Sequence, residues 1–123
     1  MKFARLTAVA RQVVAATQTG LPAPIRDLAV TVPVHFEPFP SEDIVDEHID
    51  PDILGLFSGP SHGEATGSEN TAPAQISLYL ENLWDYAGSD IRVFRDEVRL
   101  TYLHELGHFL GWDEDDLAAR GLD

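Results

Sequence analysis

Asp90 to Leu103 contains neither proline nor glycine, and Leu100, Leu103, Leu106 and Leu110 recur three or four residues apart. Such a stretch is a helix with one apolar side facing a core. Ser89 or Asp90 can cap its start. Gly111 closes it, because glycine readily takes the left-handed conformation that ends helices and lets the chain reverse. On that helix His104 and His108 stand four residues apart, hence on one face, with Glu105 one position on.

Two imidazoles on one turn can present nitrogens to a single metal ion, and a neighbouring carboxylate can take a proton from water. Two histidines supply only two of the three protein ligands that a catalytic zinc ion usually has. In the pattern His-Glu-x-x-His-x-x-Gly-x-x-ligand the glycine turn brings the chain back three residues later, and here that position is Glu114. Asp113 and Asp115 are the alternatives beside it. The same acids also have an account without a metal. Asp113 to Gly121 reads as a short last helix with Asp113 as N-cap, acids in its first turn and Gly121 at its end.

The segment from about Asp52 to Asp123 resembles the small bacterial zincin-like metallopeptidase family, the minimal zincins. The likeness rests on Glu97 to Gly111, which carries the His-Glu-Leu-Gly-His motif, and on Leu54 to Gly59 and Ile76 to Leu83. It implies a compact, single-domain α+β fold: a small mixed sheet, an N-terminal helix and a metal-binding helix. It further implies Zn2+ held by His104, His108 and an acid after Gly111, Glu105 as general base, and a peptide or protein as substrate. The loop from Pro60 to Pro73 departs from the family pattern.

The chemistry that these residues suit is metal-assisted amide hydrolysis, with Glu105 accepting the proton of water and returning it to the leaving amine. Tyr79 and Tyr102 are candidate donors to the negatively charged oxygen that develops. A catalytically inactive metal-binding interaction module is the alternative, and Glu105 argues against it because a purely structural site needs no base. A small metal-dependent ribonuclease using three histidines would need a third histidine shortly after His108 and a basic surface, and the chain has neither.

Composition narrows the field further. A chain of 123 residues is expected to form one domain over residues 1–123. Its net charge of −13 repels phosphate backbones, so nucleic acid is not an expected partner. The absence of cysteine excludes disulfides, thiolate zinc sites and cysteine nucleophiles, and fits a cytoplasmic protein. No stretch approaches membrane-spanning length, so no membrane partner is expected. Lys2, Arg5 and the apolar residues after them superficially resemble a signal peptide, but Arg11 and Gln12 interrupt the run. Phe3, Leu6, Ala10, Val13, Val14 and Thr17 instead follow helical spacing, which predicts an amphipathic first helix packed on the sheet.

Between this helix and the motif, Gly20 to Pro24 is a break, and Leu28 to Phe36 alternates as a strand with one unpaired side at Pro33. Pro38 to Pro51 reads as a solvated connection with one helical turn over Glu42 to Glu47. Leu54 to Phe57 reads as a short strand, and Pro60 to Pro73 as a surface loop. Gln75 to Glu81 is a strand with Ile76, Leu78 and Leu80 on a buried side and Ser77, Tyr79 and Glu81 on an open one. It could be an internal strand, or an edge that pairs with an extended substrate. Asn82 to Ser89 reads as a connection, with Trp84 and Tyr86 as core or helix-packing residues rather than substrate contacts. His35, His48 and His62 read as structural or exposed.

Overall fold

The computed structural model describes residues 1–46, 49–64 and 73–120, apart from the side chains of Glu64 and Glu114. Its helices are α1 (Phe3–Thr19), α2 (Ala23–Ala29), α3 (Glu42–Val45), α4 (Leu80–Tyr86), α5 (Ile91–Phe109) and α6 (Glu114–Ala119). Its strands are β1 (Val34–Glu37), β2 (Gly55–Ser58) and β3 (Gln75–Tyr79), with a 3₁₀ turn at His62–Glu64.

Apolar spacing builds α1 as expected: Leu6, Val9, Ala10, Val13 and Val14 are buried on one side. That side lies against α5 and α4 rather than mainly on the sheet. Arg11, at the margin, stacks over the Phe36 ring at 5.0 Å and links α1 to β1.

The sheet order is β1-β3-β2, with β3 parallel to β1 and antiparallel to β2. Alternation sends Ile76 and Leu78 of β3 into the core, where both are fully buried. Their register partners across β1 are Val34 and Phe36. Phe94, Val98 and Tyr102 of α5 complete this core without any exposed surface. Fully burying one large apolar side chain stabilises a fold by about 1.5–3 kcal/mol, so the contact of α5 with α1 and the sheet is the main support of the motif helix.

Three expectations need correction, and one open alternative is decided. The alternation over Leu28 to Phe36 does not make one strand: α2 runs to Ala29, and β1 begins only at Val34. Pro24 is the reason, since proline's fixed φ suits the first turn of a helix, and Pro22 stands just before it. Strand β3 stops at Tyr79, and the presumed connection after it is α4, whose Leu80 and Leu83 are both fully buried three residues apart. Of the two readings left open for β3, the internal strand holds, and β2 is the edge beside α5. Finally, the far side of β3 is not open at Tyr79, which is fully buried; Ile44 and Ile49 stand over that face of the sheet.

The predicted helical turn appears at Glu42–Val45, capped by Ser41, while Glu47 and His48 lie outside the described residues. Most of the Pro60 to Pro73 loop, residues 65–72, also lies outside them. Pro33 behaves as expected at a sheet edge: its carbonyl accepts from the Ile76 N–H, and β1 pairs only with β3.

Candidate metal centre

Asp90 starts α5 by accepting from the N–H groups of Arg92 and Val93 at 2.9 and 3.2 Å. Of the expected apolar stripe, Leu103 and Leu106 are buried, while Leu100 and Leu110 are half-buried at its margins. His104, Glu105 and His108 are half-buried as well.

The two histidines converge. Their Nε2 atoms are 3.2 Å apart, and their rings stand at 83° to one another. Two nitrogens bound at tetrahedral zinc distances would be separated by about 3.3 Å, close to the separation of this pair. One atom from each of His104, Glu105 and His108 forms a group spanning no more than 4.8 Å.

Glu105 is held from across the cleft: its Oε1 accepts the backbone N–H of Phe57 at 3.1 Å. Strand β2 can come this close because residue 55 is glycine. A Cβ there would stand 2.7 Å from Thr101 Cγ2 on α5 and 3.1 Å from the Ser77 carbonyl oxygen. Neither Gly55 nor Phe57 is visible in the sequence as a site residue, since one acts by lacking a side chain and the other through its main chain.

Beyond His108 the chain turns as the motif predicts. Gly111 has φ of +80°, the N–H of Trp112 bonds to the Gly107 carbonyl, and that of Gly111 to the His108 carbonyl, both at 3.0 Å. These two bonds satisfy the last carbonyls of α5. Helix α6 then begins with a reciprocal cap: Asp113 Oδ1 accepts from the Asp116 N–H at 2.8 Å, and Asp116 Oδ2 from the Asp113 N–H at 3.1 Å. The capping account therefore holds for Asp113 and Asp116. Asp115 is exposed, and Glu114 opens α6 with its side chain outside the described residues, so the ligand expected there lies outside them too.

Helix α6 is seated by Leu117, fully buried against Gly107; a Cβ on Gly107 would meet Leu117 Cδ2 at 2.2 Å. Arg120 lies 4.1 Å over the Trp112 ring and closes the end of the turn.

The two tyrosines differ. Tyr102 faces α1, where its hydroxyl accepts from Gln18 Nε2 at 3.0 Å, so it is not part of the centre. Burial raises its pKa above 10.0, and the Gln18 bond partly offsets this. Tyr79 is also raised, first by burial and further by the negative charges of Glu37 and Glu105. Its buried hydroxyl has no hydrogen-bond partner among the described residues; Ser77 is near enough to offset the shift in part but does not reach bonding geometry. His35 and His62 are exposed, the latter with its ring 5.9 Å from that of Phe109, and neither joins the group at His104.

A cleft of about 490 Å³ opens beside the histidines, between the segment Ile53–Gly55 and the face of α5 from Glu97 to Glu105. Tyr86 stands at its border with 65% of its surface exposed, contrary to the expectation that it is a core residue. Trp84 does pack inward, edge-on to Phe94 at 5.7 Å.

Among the described residues no helix is long and apolar enough to cross a membrane. No curated protein matches the chain. The model of the family described as zincin-like metallopeptidase matches residues 29–122, a span that takes in the whole sheet, α5 and the turn into α6, and the chain therefore belongs to the zincin-like metallopeptidase family.

Proposed function

We propose that the protein is a zinc-dependent peptidase acting through residues 1–123 as one domain, with His104, His108 and Glu114 as metal ligands and Glu105 as general base and acid. The observation that carries this reading is the paired Nε2 atoms at 3.2 Å with a fixed carboxylate beside them. A zinc ion bound there supplies Lewis acidity, acidifying water and polarising an amide carbonyl.

The protein's own residues do the rest. Glu105 takes the proton of the attacking water on its carboxylate and delivers it to the departing amine nitrogen. The Phe57 N–H fixes the orientation of that carboxylate, so the base needs no reorganisation between the two transfers. The substrate backbone is held by the edge of β2. Tyr79 donates its N–H to the Leu54 carbonyl, and hydrogen-bonding partners alternate along an antiparallel pair. The Gly55 N–H and the carbonyls of Gly55 and Phe57 therefore face away from β3, beside α5, where an extended peptide can pair, while the Phe57 N–H stays with Glu105.

Metal analysis combined with a peptide-library cleavage assay on the wild type and on Glu105→Gln tests this. Both proteins should bind zinc, and the variant should cleave about 10²- to 10⁴-fold more slowly. Equal cleavage by the two would remove Glu105 from its role, and a wild type that binds zinc without cleaving any peptide would overturn the peptidase reading.

A further inference from the structure

The face of α5 that carries His104 also carries Glu97, seven residues upstream, about 10 Å along the helix axis. Both line the cleft, and no lysine or arginine lines it with them. The arginines of α5 lie elsewhere: at 3.6 residues per turn Arg92, Arg95 and Arg99 fall on the opposite side of the helix, and Arg95 and Arg99 border a separate hollow against α1. Glu97 thus presents a half-buried carboxylate to the cleft without a cation of the same helix beside it.

Between Glu97 and His104 the walls are formed by Ile53, Leu54 and Gly55 on one side and by Leu100 and Thr101 on the other. The exposed Tyr86 ring borders the same cleft. A cleft with Ile53, Leu54 and Leu100 along its walls, leading from the metal centre to a carboxylate and an aromatic ring, suits a side chain with a long aliphatic stem and a cationic end. A purely aliphatic side chain would cover the Glu97 carboxylate without pairing it, and an acidic one would be repelled. The four-carbon stem of lysine, or the slightly longer arginine, is of the right order to bridge the distance once the arm of Glu97 is added.

We infer that this cleft is a specificity pocket in which Glu97, with Tyr86, selects a lysine or arginine side chain next to the bond to be cleaved. The inference rests on the peptidase reading for the cleavage itself, but the pocket can be tested without cleavage.

The test compares two peptide pairs, identical except for lysine or norleucine at one position. One pair is a cleavable substrate, and the other ends in a hydroxamate that binds zinc and is not cleaved. Zinc-loaded wild type should prefer the lysine member of each pair by about five- to tenfold, as kcat/KM and as Kd by calorimetry. Glu97→Gln should erase most of that ratio, and Glu97→Lys should invert it in favour of the norleucine member. Circular dichroism and zinc content, which a merely structural role for Glu97 would change, should match the wild type in both variants. Cleavage with no preference for lysine, or a preference that survives Glu97→Gln, overturns the pocket and leaves the peptidase reading standing. Tighter binding of the lysine hydroxamate that depends on Glu97, without cleavage of any peptide, supports the pocket and overturns the peptidase reading. Equal affinity for the two hydroxamates overturns the pocket whatever the activity.

Discussion

The Phe57 N–H and Glu105 Oε1 are 3.1 Å apart, although 48 residues separate them in the chain. That bond joins an edge strand to the motif helix at the carboxylate proposed as base. It makes the position of Glu105 depend on how closely β2 packs against α5, and that depends on Gly55.

Gly55→Val should therefore impair the centre without touching it. The new side chain must displace Thr101 or push β2 away, at about 1–3 kcal/mol for overpacking. We expect a lowered unfolding midpoint and a fall in kcat larger than any change in zinc affinity, measured side by side on the purified variant. An unchanged kcat in a protein that has lost stability would show that the Phe57 bond does not position the base.

Gly107→Val places a branched side chain where a Cβ alone would stand 2.2 Å from Leu117 Cδ2. Helix α6 should lift from α5, and limited proteolysis should then cut near Asp113 while α5 stays protected. Trimming the obstacle with Leu117→Ala in the same protein should restore part of the protection, since the two sites are in contact and their effects are not additive.

Asp113 and Asp116 each commit one carboxylate oxygen to the α6 cap, Asp115 is exposed, and Glu114 stands at the ligand spacing of the motif. Glu114→Ala should weaken zinc binding beyond the roughly 10- to 100-fold that loss of an outer hydrogen-bonding partner brings. Asp115→Ala should leave it nearly unchanged. Competition with a chromophoric chelator measures both; the reverse order of the two variants would move the third ligand to Asp115.

Stability should fall at alkaline pH through two tyrosines. Both Tyr79 and Tyr102 have pKa values raised above 10.0 by burial, so the folded state holds their protons more tightly than the unfolded chain does. Their contribution is complete below pH 10 and is lost as pH climbs through the raised values. Urea midpoints at pH 8 and above pH 10 should differ more for the wild type than for Tyr79→Phe/Tyr102→Phe. At pH 8, Tyr102→Phe should cost about 1 kcal/mol through the Gln18 bond, whereas Tyr79→Phe, which breaks no such bond, should be near neutral.

What the sequence made legible was local. The helix to Phe109, its Asp90 cap, the Gly111 turn and the facing histidines all follow from spacings within a few residues, and each appears in the structure. The Asp113 cap was legible for the same reason. What stayed hidden was set by distant packing. Whether β3 was an edge or an interior strand depends on where β2 pairs, and four residues of β2 carry too little pattern to say. Tyr86 has the composition of a core residue, yet the turn of α4 after Trp84 points it to the cleft. The alternation at Leu28 to Phe36 misled because Pro24 had already committed the chain to a helix whose end overlaps the pattern. Glu97 stood in plain view on the motif helix, but its place at the cleft becomes visible only once Ile53 and Leu54 are brought opposite it.

The turn that ends α5 and the cap that begins α6 follow each other with only Trp112 between Gly111 and Asp113. Such a joint has no slack. An inserted residue would have to be absorbed within this turn, and any shift in where α6 starts would draw Leu117 off the Gly107 seat. The distance between these two helices is thus set by a minimal joint, and its length should tolerate little change.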